Sequence, residues 1–414
     1  MATTTSNDDV VIHLILTGAS GYLGQHLLSN WIKEGLPSSI SDNNNDTSCT
    51  VKYKITALYN RLEGFPDAVE EFRQCQVAEK NINGILDVTV LSIDLTDPNH
   101  SIESLIQRTT SNTNSTTTGQ ETTTKSIIIV VHTAALSSPK LCEENPEHAK
   151  AINVPVIFFD NVLGINKKTM NNNYFSSIIA LSTDQVYDGK DNVNLYKENE
   201  KEGLHPVNVY GRTKLEMEEY LLQKQKQHKQ QQHKSSSMLF ALRSSIMLGP
   251  KAPIQPNGVH GTFLDFVKSR GENNQETTFF TNEFRNVVKV DFVLQTINDI
   301  ITKRIVMNND NTCNTTADPM PVVFNMGGPE RVNRMDMAKA VFTKFGYDHK
   351  LLLPTKQTSP LSPLDISMDS SCLQKYRLGI GKEERGEEVD DDDFKNTQPQ
   401  PETYLGELVD YVFG

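Results

Sequence analysis

Up to residue 245 the chain alternates short apolar runs with polar, helix-compatible stretches. The runs are Val10–Leu16, Tyr53–Tyr59, Val88–Ile93, Ile127–Val131, Ser177–Leu181 and Leu239–Arg243. Some, Ile127–Val131 above all, are apolar at every position rather than at alternate ones. A strand buried on both faces reads this way, and such strands belong to parallel sheets covered by helices on both sides. Directly after the first run, Leu23, Leu27, Leu28 and Trp31 recur at helical spacing. Strands alternating with helices predict βαβ units, and hence an α/β fold with a doubly wound parallel sheet.

Four tracts break the pattern: Ser38–Ser48, Thr109–Thr124, Gln223–Ser237 and Asn308–Thr316. They are rich in Asn, Thr, Ser, Gln and Lys and cannot bury a core, so they read as disordered surface loops inserted into the domain. Glu383–Asp393 reads as an acidic linker, and Glu402–Val412 as a last helix. The expected organisation is a nucleotide-binding domain over 1–245, a smaller lobe over 246–382 interleaved with it, a linker over 383–401 and a terminal helix over 402–414.

Composition narrows the function classes. The 414 residues carry a formal net charge of −12, which argues against a general nucleic-acid binder. The longest apolar run is too short to span a bilayer. The five cysteines (Cys49, Cys75, Cys142, Cys313 and Cys372) lie far apart with no C-x-x-C pair, which predicts reduced thiols and no zinc site. The first residues, Met1–Asp9, lack the basic start and apolar core of an export signal. The expectation is a cytoplasmic protein without a membrane anchor.

The chemistry concentrates at strand ends. Thr17-Gly18-Ala19-Ser20-Gly21-Tyr22-Leu23-Gly24 joins the first strand to the first helix. Three glycines at this spacing allow a tight turn, a close approach of backbone to phosphate and close helix–strand packing, with the helix N-terminus attracting a pyrophosphate. This makes the sheet Rossmann-type. Further along, Tyr210 and Lys214 are four apart and share one face of a helix. An ammonium held beside a phenol favours the phenolate, so Lys214 is expected to lower the Tyr210 pKa.

These segments resemble the extended short-chain dehydrogenase/reductase family over most of the chain. The resemblance rests on the T-G-A-S-G-Y-L-G loop, Asp94-Leu95, His132-Thr133-Ala134-Ala135, Asn153, Ser182-Thr183 and the Tyr210/Lys214 pair. Two further phrases, Ser182–Gly189 and Phe324–Glu330, are similar to the branch holding dTDP-4-dehydrorhamnose reductases and the related methionine adenosyltransferase regulatory subunits. The resemblance implies that Tyr210 donates a proton to a substrate carbonyl as hydride arrives from a nicotinamide. Lys214 would hold the nicotinamide ribose, and Thr183 would hydrogen-bond the reacting oxygen. Gly18, Ser20, Gly21, Tyr22, Leu23, Gly24, Asp94, Leu95, Ala134, Ala135 and Asn153 would line the cofactor, together with Tyr210 and Lys214.

Three positions refine the reading. Arg61, at the end of the second strand, stands where NAD enzymes place an acid, so NADP is expected over NAD. Gln185 stands where the family's dehydratases carry a glutamate; a carboxamide has no proton to exchange near neutral pH, which disfavours water elimination. Arg285 is a candidate contact to a nucleotide-sugar phosphate, with an ion pair to Glu283 or Asp291 as the competing role. The resemblance implies a reductase of a keto group on a nucleotide-linked sugar, with a homodimer as the assembly to expect. Its alternatives are a nucleotide-sugar epimerase, or a non-catalytic NADP-binding subunit whose partner is a methionine adenosyltransferase catalytic subunit.

Overall fold

The computed structural model describes residues 10–36, 39–41, 48–80, 87–97, 125–168, 174–190, 194–230, 237–255, 257, 261–302, 322–383 and 401–414. The tracts Thr109–Thr124 and Asn308–Thr316 and nearly all of the acidic stretch lie outside them.

The six expected strands are present, all but β4 longer than their apolar runs: β1 (Val10–Thr17), β3 (Ser48–Tyr59), β4 (Asp87–Ser92), β5 (Lys125–His132), β6 (Tyr174–Thr183) and β7 (Leu239–Ser244). The same sheet holds two strands that the pattern does not foresee, β2 (Ser39–Ser41) and β8 (Val323–Met326). The main sheet runs β8-β7-β6-β5-β1-β3-β4, every neighbouring pair parallel. β2 pairs antiparallel with the start of β3, Ser39 opposite Thr50. The tract 38–48 is therefore not wholly a loop. β3 begins before its partnership with β1, at Val51 opposite Val10, and its leading backbone groups take partners from β2.

Helices cover both faces. α1 (Tyr22–Glu34), α2 (Phe65–Lys80) and, from far along the chain, α8 (Val290–Asp299) bury Leu27, Trp31, Phe65, Val293 and Ile297 against one face. The Trp31 indole N–H donates to Asn298 Oδ1 at 2.9 Å, which fastens α1 to α8. On the other face lie α5 (Val156–Lys168) and α6 (Val209–Gln230), contributing Phe159, Val162, Met217 and Leu221. α6 carries the helix through Gln230, eight residues into a tract expected to be a loop. Gln and Lys are good helix formers, and Gln225 Oε1 accepts from the Leu239 N–H at 3.2 Å, while Lys224 pairs with Asp160 at 2.5 Å.

Two short helices, α3 (Pro139–Glu144) and α4 (Pro146–Asn153), link β5 to α5. The smaller lobe is built from α7 (Phe263–Glu272), α9 (Arg334–Phe345) and the terminal α11 (Pro401–Phe413), around Leu264, Val267, Val341, Phe342, Tyr404 and Leu408. α7 and α9 each open with a reciprocal cap, Thr262 with Asp265 and Asn333 with Asp336. α10 (Ser371–Glu383) returns to the sheet, where Leu373 joins the α1 side of the core. The lobe is thus threaded through the layers of the main sheet. Among the described residues no helix is long and apolar enough to cross a membrane.

Strand order reverses at β1, which has β3 on one side and β5 on the other. In open α/β sheets the crevice beyond the carboxyl ends at such a point is where ligands bind.

Candidate active site

The loop leaving β1 occupies that crevice. Gly18 has φ +71°, and a Cβ there would lie 2.6 Å from the backbone nitrogen of Ala134 in the loop after β5. Only glycine accepts both the left-handed backbone and that approach. One turn into α1, a Cβ on Gly24 would meet the Gly18 carbonyl oxygen at 2.1 Å. α1 starts at Gly21 with no side-chain cap and no acid in its first turn. Its leading N–H groups and positive dipole end remain available to an anion. This bare helix end beside a glycine-lined cradle fits the phosphates of a dinucleotide.

The other expected cofactor residues gather around the same crevice with differing commitments. The Ser20 carbonyl accepts from Gln25 Nε2 at 2.9 Å, and the Tyr22 hydroxyl donates to the Pro250 carbonyl at 3.1 Å. The Leu23 side chain is buried in the core, leaving its backbone to the loop. Ala134 N–H reaches Thr17 Oγ1 at 3.4 Å, and Ala135 follows it on the half-buried rim. Arg61 is exposed, just past the end of β3, whose Leu58 lies opposite Thr17. Asp94 Oδ1 accepts from the Thr96 N–H at 2.9 Å and hydroxyl at 2.7 Å, a turn that shapes the end of β4. Leu95 packs on the α5–α6 side of the core. Asn153 is fully buried: its Oδ1 accepts from Leu136 N–H at 2.8 Å, and its amide donates to Leu136 O and, at 2.9 Å, to Thr213 Oγ1. Its contacts pin the β5 loop to α6.

At the end of β6, Thr183 caps a single 3-10 turn, Asp184–Val186, by accepting from the Gln185 N–H at 3.2 Å. Tyr210 is hydrogen-bonded to Thr183, with Asp184 and Cys142 close by. Asn208 Oδ1 accepts from Gly211 N–H at 2.8 Å in the first turn of α6, and its amide donates to Gln185 Oε1, also at 2.8 Å. Burial raises the Tyr210 pKa above its ordinary value; the Thr183 hydrogen bond opposes this, and Asp184 and Cys142 add to it. The expected lowering by Lys214 is thus corrected. The Lys214 ammonium, 1% exposed, donates instead to the Leu181 carbonyl at 2.8 Å, and the groups that act on Tyr210 are Thr183, Asp184 and Cys142. Tyr210 is held as a neutral phenol, the form that gives up a proton. Burial lowers the Lys214 pKa from 10.5 to about 8, with Glu218 and Cys142 opposing it.

His132 is fully buried, its Nδ1 2.8 Å from Thr17 Oγ1, and burial with Lys214 nearby depresses its pKa well below 6.5. It is a packed neutral ring.

Sequence reasoning passed over Asp184. It is buried next to Thr183, accepts from Ser245 Oγ at 2.8 Å, and burial raises its pKa while Arg285 and Arg334 oppose. Arg285 does not present its guanidinium to a ligand as expected. It is 4% exposed and donates to the carbonyls of Phe284, Leu364 and, at 2.9 Å, Pro363, with Glu283 at 3.3 Å. Its planar fork is consumed by the framework, so of the two roles the ion pair with Glu283 prevails. The more open cations beside it are Arg334, 3.2 Å from Glu283, and Arg331, which binds Asp365 at 2.6 Å and covers the Phe284 ring. Only the Gly327–Glu330 turn just before them signals their place in the sequence. A cavity of about 630 Å³ opens elsewhere, between α8, α10 and α11, and none of the expected site residues lines it.

A switch-point crevice, a glycine cradle and a Thr-Tyr-Lys cluster at the neighbouring strand ends define an extended short-chain dehydrogenase/reductase. Residues 83–378 match the RmlD substrate binding domain, and the chain belongs to that family. No curated protein matches by sequence. Among solved structures, the dTDP-4-dehydrorhamnose reductase of Bacillus anthracis in complex with NADP is 15% identical and superposes with a TM-score of 0.51, covering 91% of this chain and 99% of that one. UDP-glucuronic acid 4-epimerase from Bacillus cereus, with UDP-glucuronic acid and NAD, gives 14% and 0.58 over 97% and 98%. dTDP-glucose 4,6-dehydratase from Bacillus anthracis, with NAD, gives 12% and 0.56 over 97% and 96%. At these identities the likeness is one of fold.

Proposed function

We propose that this protein is an NADP-dependent reductase of a keto group on a nucleotide-linked sugar, with dTDP-4-dehydrorhamnose as the leading substrate. The observation that carries the reading is the Thr183–Tyr210 hydrogen bond beside Lys214, at the carboxyl end of β6. The Gly18–Gly24 cradle would hold the dinucleotide, whose chemistry when bound would be hydride supply. Thr183 orients the carbonyl oxygen, and Tyr210 donates the proton that turns it into a hydroxyl. Lys214 would hold the nicotinamide ribose. Gln185, whose Oε1 is held by Asn208, lacks the exchangeable proton that dehydration needs. The partly exposed Arg334 and Arg331 are the cations suited to the diphosphate of the substrate.

Mixing the protein with NADPH and a dTDP-4-keto-6-deoxy sugar should consume the reduced nicotinamide. A test of cofactor choice follows from Arg61. Its replacement by Ala should weaken NADPH binding about fivefold to a hundredfold, a loss of roughly 1–3 kcal/mol for a charge-assisted bond, while NADH affinity, read by fluorescence titration, stays unchanged. Equal losses for both dinucleotides would assign Arg61 no part in the preference.

A second reading has one observation in its favour: the Lys214 ammonium is turned to the Leu181 carbonyl. A dinucleotide-binding regulatory subunit of a methionine adenosyltransferase needs no proton transfer. It would bind NADPH without consuming it and co-purify with that enzyme.

A further inference from the structure

A line of buried polar side chains runs from the Tyr210–Lys214 helix across the sheet, and the proposed reaction leaves it unused. α6 grips three consecutive residues of β6. Lys214 donates to the Leu181 carbonyl, the Ser182 hydroxyl donates to Glu218 Oε1, and Tyr210 is bonded to Thr183. Glu218 lies one turn beyond Lys214 and is equally buried, at 1% exposure. Arg243, on β7, clasps its carboxylate with Nε at 3.0 and 3.1 Å and Nη2 at 2.7 Å. From Arg243 the line continues through the Tyr187 hydroxyl at 2.8 Å to Asn325 Oδ1 at 2.7 Å on β8. The Asn325 amide then donates to the carbonyls of Tyr196 and Asp369.

A pair of charges so deep is a poor way to stabilise a fold, because well-packed apolar residues of the same volume do as well or better. Its placement suggests another use. The groups acting on Lys214 are few: Glu218 on its own helix, Cys142 of α3, and the neutral ring of His132 on β5. β6 offers it only an uncharged carbonyl. Glu218 is the one carboxylate in that set.

We propose that Glu218, held in place by Arg243 and Ser182, is a positioning residue that fixes Lys214 in register against β6 and supplies its buried counter-charge. The inference rests on Lys214 having the functional role given above. Arg243 works through Glu218 by fixing its rotamer, and Tyr187 and Asn325 fix Arg243 in turn.

The test follows the Lys214 side chain directly, by NMR of the full-length protein with 13C-labelled lysine. In the wild type, where burial lowers the Lys214 pKa, the expected midpoint is about 8. In Glu218→Gln, and in Glu218→Gln/Arg243→Met, which leaves no orphan cation, the midpoint should fall by about one pH unit, tenfold in the ammonium equilibrium. The alkaline limb of turnover should move with it, and Glu218→Asp should restore part of the shift. A folded double variant with the Lys214 midpoint unchanged would overturn the proposal, leaving the pair as a brace of the fold alone. A midpoint that moves while no variant, nor the wild type, turns over NADPH upholds the positioning role and rejects the reductase reading.

Discussion

Tyr210→Phe should reduce carbonyl reduction roughly a hundredfold to ten-thousandfold, the usual contribution of a positioned acid, and leave dinucleotide affinity as it was. The ring keeps its packing against Cys142, Ala149 and Val209. What goes is the hydroxyl bonded to Thr183, worth about 1 kcal/mol to the fold. Thr183→Ala should lose less, because Tyr210 still carries the proton. Single-turnover rates with NADPH and isothermal titration of the cofactor separate the two effects. If Tyr210→Phe reduced at the wild-type rate, the proton would have to come from elsewhere, with Asp184 the nearest acid.

Lys214→Met carries the second large effect, and its sign differs between activity and stability. A buried ammonium whose folded pKa is displaced from 10.5 to about 8 costs the fold about 3 kcal/mol. Between those values the unfolded chain binds the proton more tightly. The penalty is therefore complete below pH 8 and relieved as pH rises towards 10.5. Methionine removes the charge at similar volume but leaves the Leu181 carbonyl unpaired, an offset of about 1–2 kcal/mol. The variant should be more stable than the wild type by about 1–2 kcal/mol at pH 7, with the difference fading towards pH 10. Turnover should fall at least a hundredfold, the lower end for a lost electrostatic group. Urea unfolding at two pH values checks the first claim. A variant less stable at pH 7 would mean that the ammonium is better solvated than its burial implies.

Much of the frame was readable from the sequence because parallel strands buried on both faces leave uninterrupted apolar runs. Ile127–Val131 is the clearest case, every side chain almost fully buried. β8 escaped because four residues, Val323–Met326, are too few to carry a pattern, and one of them is Asn325, whose amide serves the buried polar line. β2 escaped because its pairing depends on how far β3 outruns β1, a property of the assembled sheet. By composition the tract after Gln223 reads as a loop, yet those residue types propagate a helix once α6 has been nucleated.

The candidate site divides in the same way. Spacing revealed the Gly18–Gly24 loop and the Tyr210/Lys214 pair, because both are local to one turn or one helix. It could not reveal that Arg285 is enclosed by the carbonyls of residues 363 and 364. Nor could it reveal that burial rather than Lys214 governs Tyr210, or that Arg243 lies against Glu218. These follow from approaches between segments far apart in the chain, which no period or motif encodes.

In the proposed reaction hydride reaches a sugar carbonyl while Tyr210 protonates its oxygen. Incubating the protein with NADPH deuterated at the transferable position and a dTDP-4-keto-6-deoxy sugar reads this directly. The expected product is a reduced sugar carrying one deuterium at the former carbonyl carbon, and it should be lost in Tyr210→Phe. Tight NADPH binding with no deuterium in any keto-sugar offered would contradict it.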